Sequence, residues 1–101
     1  MFPRYVVSLI CAPQLEEALL DTLLVNFGSE VFVSMPSASH GTHPQLLSPA
    51  ERVLGRQRTI YIRALLSSEE TEELVRLLNK NFQGTGIRYW ASPVVLEGEI
   101  A

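Results

Sequence analysis

Hydrophobic and polar residues follow the same pattern in both halves of the chain. In the first half, a short apolar segment (residues 4–11) precedes a longer leucine-rich segment, and a second short apolar segment (residues 30–35) follows. The second half repeats this order over residues 58–65, 67–82 and 86–95. Short apolar runs are typical of strands, and leucines that recur every three or four positions are typical of an amphipathic helix. The chain therefore predicts β-α-β twice.

Both predicted helices carry the signals that mark helix ends. The first begins near Pro13, has acids in its first turn and is ended by Gly28. The second begins at a capping box over residues 67–70 and is ended by Gly84. The stripes that face the core are Leu15, Leu19 and Leu23 in the first helix, and Leu74, Leu78 and Phe82 in the second.

A doubled β-α-β unit predicts a ferredoxin-like βαββαβ fold of the α+β class, with a four-stranded antiparallel sheet and two helices on one face. In the third strand Ile60 points to the core, so Tyr61 and the alternate residues face the open side of the sheet. Either Tyr89 or Trp90 joins them. Because monomers rarely expose a large apolar patch, we expect a closed ring of identical copies. A monomer that binds a different protein is the alternative.

A long segment, residues 36–55, separates the two halves where a hairpin needs only about two to five residues. Its first part is small and polar. Its second part has a capping box that starts at Ser48 with proline at the first helical position, and predicts a short helix over residues 49–54 closed by Gly55. We therefore expect one domain over residues 1–101, with its function in this insertion.

Composition narrows the class of protein. The 101 residues are 47% hydrophobic, which is typical of a packed globular chain, and the net charge of -3 argues against general nucleic-acid binding. No apolar run approaches the roughly 20 residues that span a bilayer, so we expect no membrane insertion. A single cysteine, Cys11, excludes an internal disulfide and fits a reducing cytoplasm.

The order of elements resembles the PII-like superfamily of signalling proteins. The more specific likeness is to a small PII-like family found beside heavy-metal (RND) efflux systems, and the residues that carry it are Ser48-Pro-Ala-Glu-Arg-Val-Leu-Gly-Arg56, Tyr89-Trp-x-x-Pro-Val94 and Gly98-Glu-Ile100. This resemblance implies a homotrimer formed through the helix-free sheet face. It also implies a non-enzymatic regulator whose residues 36–55 correspond to the partner-binding T-loop.

The resemblance also implies a ligand site. PII proteins hold nucleotide phosphates with a glycine-rich turn before the last strand, a lysine at its end and two arginines in the tail. The corresponding turn here, residues 83–88, has no lysine, and the tail has no basic residue. A triphosphate needs several cations or amides to replace its hydration, which argues against ATP binding of the usual PII kind. The ligand-binding residues that the resemblance predicts are Arg56, Arg58, Gly84, Gly86 and Arg88, with the first two supplied by a neighbouring copy.

Two groups of loop residues are candidates in their own right. His40 and His43 form His-Gly-Thr-His, and neutral imidazoles are good ligands for divalent zinc, copper or nickel. The alternative is two solvated histidines. Arginines at the second end of the loop, Arg56 and Arg58 with Arg52, suit an anionic ligand or an acidic partner. The alternative there is ordinary surface arginine, or pairing with nearby acids such as Glu51 and Glu30.

We therefore expect a cytoplasmic, non-enzymatic regulator that senses a small ligand or a metal ion and contacts a membrane transporter through residues 36–55. The cofactor is not identified by the sequence, with a divalent metal as the candidate. The alternative is a protein of the copper-tolerance type that binds heavy metal directly. A small enzyme that uses the open sheet face as a pocket ranks last, because no residues are spaced as a catalytic triad.

Overall fold

The structure, a computed structural model, describes residues 3–41 and 48–101, and no side chain of residues 52–54. Its elements in chain order are β1 (Arg4–Cys11), a 3-10 turn (Pro13–Leu15), α1 (Glu16–Phe27), β2 (Phe32–Ser39), α2 (Pro49–Leu54), β3 (Gln57–Ser67), α3 (Ser68–Asn81) and β4 (Arg88–Pro93). The four strands form one antiparallel sheet in the order β2-β3-β1-β4, with α1 and α3 together on one face. This confirms the ferredoxin-like α+β fold.

The sheet face under α1 and α3 forms the core. In the middle of the sheet Leu9 of β1 lies opposite Ile62 of β3, and both side chains are fully buried. Each fully buried leucine or isoleucine contributes about 1.5–3 kcal/mol to folding. The side-chain alternation predicted for β3 is confirmed. The buried apolar residues are Val7, Leu9, Cys11, Leu19, Leu23, Phe27, Ile60, Ile62, Ala64, Leu66, Leu74 and Leu78.

The opposite sheet face, here called the open face, is covered by neither α1 nor α3. Trp90 lies on it, opposite Ser8 of β1, whereas Tyr89 points to the helix side. Trp90 packs edge-to-face on Tyr61 at 6.1 Å between ring centroids, and the Tyr61 hydroxyl bonds Ser8 Oγ at 3.0 Å. Large apolar side chains stay exposed on this face and at its edge: Val31 (68%), Val33 (47%), Met35 (42%) and Trp90 (44%).

Strand β2 differs from its prediction over residues 30–35, because it runs from Phe32 to Ser39. Residues 36–39 therefore belong to the strand and not to the long loop. The reason lies at Pro36, which faces Ile60 in the register. Proline has no backbone N–H to donate, but β2 is an edge strand, where one side of the backbone has no neighbouring strand and a missing donor is tolerated. Strands β3 and β4 differ from their predictions only at the ends.

Capping explains where α3 begins. The Ser67 hydroxyl accepts from the Glu70 N–H at 3.1 Å, and the Glu70 carboxylate accepts from the Ser67 N–H at 2.9 Å, so the predicted capping box is confirmed. Gly28 follows the last residue of α1, as expected, but its φ of -64° is right-handed. A Cβ at Gly28 would lie 2.5 Å from the Leu24 carbonyl oxygen, so close approach and not a left-handed turn requires glycine there.

Arg4 joins three separate segments at the end of the sheet where β1 begins. Its Nη2 donates to Glu30 Oε2 at 2.6 Å and to the Leu65 carbonyl at 3.3 Å, and its Nε lies 3.6 Å from the Glu97 carboxylate of the tail. Glu30 therefore pairs with Arg4 and not with the loop arginines. No helix in residues 3–41 and 48–101 is long and apolar enough to cross a membrane.

Glu51 fastens α2 to the start of β3. Its carboxylate accepts from the Ser48 N–H at 3.0 Å and from the Arg58 N–H at 2.9 Å, while the Ser48 hydroxyl accepts from the Glu51 N–H at 3.2 Å. Gly55 closes the helix with a left-handed φ of 69°. The predicted helix over residues 49–54 is confirmed. The two backbone bonds, from Ser48 first and from Arg58 second, lower the pKa of Glu51 from its ordinary 4.5.

We expect Glu51→Gln to lower the melting temperature by a few degrees at neutral pH, because the two backbone bonds go to different carboxylate oxygens and glutamine replaces one of these with an NH2 group that cannot accept. A lowered carboxylate pKa stabilises the folded state above the ordinary value of 4.5, and that stabilisation is lost as the pH falls through the folded pKa. Circular dichroism melts of both proteins from pH 7 to pH 3 measure the difference.

The control is Glu99→Gln, because Glu99 is exposed in the tail after β4. Its melting temperature should stay close to that of the wild type throughout. A Glu51→Gln curve that matches this control, or a difference that grows as the pH falls, would contradict the role given to Glu51.

Candidate functional site

Four chain segments meet at one end of the sheet. There β1 ends, β2 ends, and β3 and β4 begin, as shown by the register pairs Cys11 with Ile60, Ser39 with Gln57, and Ile10 with Arg88. Together with α2 and the turn before β4 they enclose an open cleft of about 1090 Å³. Its lining residues are Ile10, Cys11, Ala12, Pro13, Gln14, Gly41, Ser48, Ala50, Glu51, Arg56, Gln57, Arg58, Thr59, Thr85, Gly86 and Arg88.

Positive charge dominates this cleft. Arg56, Arg58 and Arg88 line it together with one acid, Glu51, whose carboxylate already accepts two backbone N–H groups. Among the described residues, none of the three guanidinium groups lies within ion-pair distance of a carboxylate, since the ion pairs involve Arg4 and Arg76. Guanidinium groups present several N–H donors to carboxylate, carbonate or phosphate oxygens. The cleft is therefore suited to a small anion.

The structure brings together most of the residues that the PII resemblance selects. Arg56, Arg58, Gly86 and Arg88 line the same cleft, whereas Gly84 does not. Gly84 and Gly86 both have a left-handed φ of 77°, which shapes the turn that leads to Arg88. We expected Arg56 and Arg58 to reach the site from a neighbouring copy. They share the cleft with Arg88 of their own chain, because β3 and β4 begin at the same end of the sheet.

The cleft also contains residues that sequence reasoning did not select. Thr59 is only 4% exposed, and its Oγ1 lies 2.9 Å from Ser37 Oγ and 2.8 Å from Ser39 Oγ. Had β2 been extended to Ser39, the alternating hydroxyl residues opposite β3 would have indicated this cluster. Cys11 is buried, and desolvation, with the nearby Glu16 carboxylate, raises its pKa above the ordinary 9.0. Its thiol therefore stays protonated and acts as a small apolar group.

The structure describes one of the two loop histidines. His40 is exposed and follows directly after β2, and His43 lies outside the described residues. Residues 3–41 and 48–101 contain no group of three histidine, cysteine or acidic side chains arranged to hold a metal ion. Metal binding by His40 and His43 therefore stays a prediction.

Solved structures share this fold at low sequence identity. A DUF3240 family protein from Shewanella baltica OS155 has a TM-score of 0.77 at 15% identity, with 100% of both chains covered. CPII, a nitrogen regulatory PII-like protein from Thiomonas intermedia K12 solved with ADP, AMP and bicarbonate, has a TM-score of 0.72 at 17% identity, with 98% of both chains covered. A putative PII-like signalling protein from Thermus thermophilus has a TM-score of 0.67 at 14% identity, with 92% of this chain and 88% of the other covered.

At these identities the likeness establishes the fold, which is that of the PII-like proteins. A comparison with proteins of curated function finds no match. The family described as "Protein of unknown function (DUF3240)" matches residues 1–101. The match spans the whole sequence, so the chain belongs to the DUF3240 family and has a PII-like, ferredoxin-like fold.

Proposed function

We propose that this protein is a cytoplasmic, non-enzymatic regulator of the PII-like kind. A small anion binds in the arginine-lined cleft and changes how the segment around residues 36–55 contacts a membrane transporter, such as a heavy-metal efflux system. The observation that carries the proposal is the cleft itself: it lies where the long loop joins the sheet, and three arginines without a carboxylate within ion-pair distance among the described residues line it.

The position of the cleft connects a ligand to the loop. Gly41, at the first end of the loop, and Ser48, Glu51 and Arg56, at its second end, line the same cleft. An anion held by Arg56 and Arg58 would therefore lie in the same cleft as residues from both ends of the loop. A ligand shifts a conformational equilibrium only by the difference in its contacts with the two states. Contacts made with these lining residues in one state and not in the other would provide such a difference, so the proposed response is a change in how residues 36–55 contact the partner.

The chemistry of the cleft favours a small oxyanion over ATP. The glycine turn has no lysine and the tail has no basic residue, so a triphosphate would lack the cations that replace its hydration. The PII-like protein CPII was solved with ADP, AMP and bicarbonate, which supports bicarbonate and phosphate-bearing anions as probes. We include bicarbonate, phosphate and ADP as candidates for this chain.

The open face supports a homotrimer as part of the proposal. Exposed Val33 and Met35 lie on the edge strand, and exposed Trp90 lies across the sheet. Burying apolar area contributes about 25 cal/mol per Å², so an exposed surface of this kind favours association with further copies. In a closed ring every copy buries the same apolar surface against its neighbours.

Direct binding of a heavy metal by His40 and His43 is the second candidate. It is favoured by the position of His40, which is exposed and adjacent to Gly41 at the rim of the cleft. A divalent ion bound there would act on the same loop.

The first prediction concerns the arginines of the cleft. We expect Arg88→Ala to weaken binding of phosphate and bicarbonate by about tenfold or more, because a hydrogen bond to a charged group is worth about 1.5–3 kcal/mol. Isothermal titration of the purified protein with ADP, phosphate and bicarbonate measures the affinity. Arg76→Ala is the matched control, because Arg76 is exposed on α3 and pairs with Glu73. Absence of binding by the wild type, or equal losses in both variants, would overturn the proposal.

The second prediction concerns the open face. Val33→Asp should convert the trimer into monomers, because it places a charge in the interface between copies. Val25→Asp is the control, since Val25 is 83% exposed on α1, on the other side of the molecule. Sedimentation velocity reports the copy number. A wild type that sediments as a monomer, or a Val33→Asp variant that stays trimeric, contradicts this assembly.

The third prediction concerns the histidines. If they hold a metal ion, the variant with both His40→Ala and His43→Ala should bind zinc, copper or nickel at least about tenfold more weakly than the wild type, since each lost ligand costs a coordinate bond. Metal titration followed by calorimetry measures this. Unchanged affinity in the double variant would rule out these two residues as the ligands.

A further inference from the structure

Three hydroxyl groups on β2 and β3 form one cluster beside the cleft. Thr59 lies directly opposite Ser37 in the register, and Ser39 is the next residue on the same side of β2. Thr59 Oγ1 lies 2.9 Å from Ser37 Oγ and 2.8 Å from Ser39 Oγ. Thr59 and Ser39 are buried, at 4% and 9% exposure. Of the three, only Thr59 lines the cleft.

Either hydroxyl can be the donor in each of the two serine–threonine contacts, and one arrangement leaves the Thr59 proton without a strong acceptor. Each hydroxyl has one proton to donate and two lone pairs to accept with. If both serines donate to Thr59, its two lone pairs are filled and its own proton needs another acceptor. The acceptor within reach is the Ser37 carbonyl, at 3.4 Å. That distance is beyond the usual range for a hydroxyl donor, so the bond is weak.

We propose that Thr59 donates its hydroxyl proton to an oxyanion held in the arginine-lined cleft, and that Ser37 and Ser39 hold Thr59 in this donor state by donating to its oxygen. This inference rests on the proposed anion-binding function of the cleft. An oxyanion held by Arg56, Arg58 and Arg88 is a much stronger acceptor than a distant neutral carbonyl, because hydrogen bonds to ionised groups are shorter and stronger.

The arrangement also joins the ligand to the loop. Ser39 is the last residue of β2, and Gly41 at the rim of the cleft follows two positions later. Hydrogen bonds in a chain strengthen one another, so donation by Thr59 to the anion would tighten its bonds from Ser37 and Ser39. The occupied cleft would thereby hold the end of β2 against β3. The anion thus acts on the strand through groups it does not touch.

A purely structural role for the cluster makes a different prediction. Paired hydroxyls across two strands stabilise a sheet whether or not a ligand is present. Loss of Thr59 would then lower the melting temperature and leave the anion affinity of the folded protein unchanged. Affinity measured well below the melting temperature separates the two roles.

The test compares four proteins by isothermal titration with inorganic phosphate, bicarbonate and ADP: wild type, Thr59→Val, Thr59→Ser, and the double variant Ser37→Ala with Ser39→Ala. Valine keeps the shape of threonine without the hydroxyl, and serine keeps the hydroxyl. We expect Thr59→Val to weaken all three anions by about tenfold, and Thr59→Ser to stay within about twofold of the wild type. The double variant should also weaken binding, although neither serine lines the cleft.

The possible outcomes separate the proposed anion-binding function from the donor role of Thr59. A wild type that binds none of the three anions overturns the proposed function and this inference with it. A wild type that binds, with Thr59→Val equal to it, overturns the inference alone. A loss confined to ADP would assign Thr59 to the nucleoside part of a ligand and would also overturn it. Should Thr59→Val fail to fold, as judged by circular dichroism, unchanged affinity in the double serine variant would still contradict the donor role.

Discussion

The structure depends on a sheet that has apolar side chains on both faces but a helix layer on only one. Leu9 and Ile62 in the two central strands lie under α1 and α3, and their burial makes the core independent of any partner. The other face keeps Val33, Met35 and Trp90 in contact with water. This imbalance is the physical reason to expect assembly, because a closed ring of identical copies buries such a surface without any other protein.

The same strand order also places the cleft. Because β1 and β4 are antiparallel neighbours and β2 pairs with β3, the ends that carry Ser39, Arg58 and Arg88 all lie at one end of the sheet. Glu51 holds α2 there through two backbone bonds, and the three lining arginines outnumber this one acid, so the cleft is net positive. The feature that suits an anion is thus a result of the fold, and the loop begins and ends beside it.

Much of the fold could be predicted from the sequence, since its signals are local. Capping boxes at Ser48 and Ser67 specify helix starts through side chains three residues apart, and strand alternation specifies the faces of β3. Local signals do not decide where β2 ends, because a proline such as Pro36 either ends a strand or lies in an edge strand. Which of Tyr89 and Trp90 lies on the open face could not be decided either, because that depends on how β4 pairs with β1. At the site, the resemblance selected Arg56, Arg58 and Arg88, but Thr59 depends on register between distant segments.

Native mass spectrometry of the unaltered protein purified from cells tests the central claim most directly. It reports the number of copies in the assembly and the mass of any retained ligand in one spectrum. The account predicts a three-copy assembly, with the added mass of the bound anion when phosphate, bicarbonate or ADP is present in the buffer. A protein that remains a single copy at all concentrations, and gains no mass in those buffers, would contradict it.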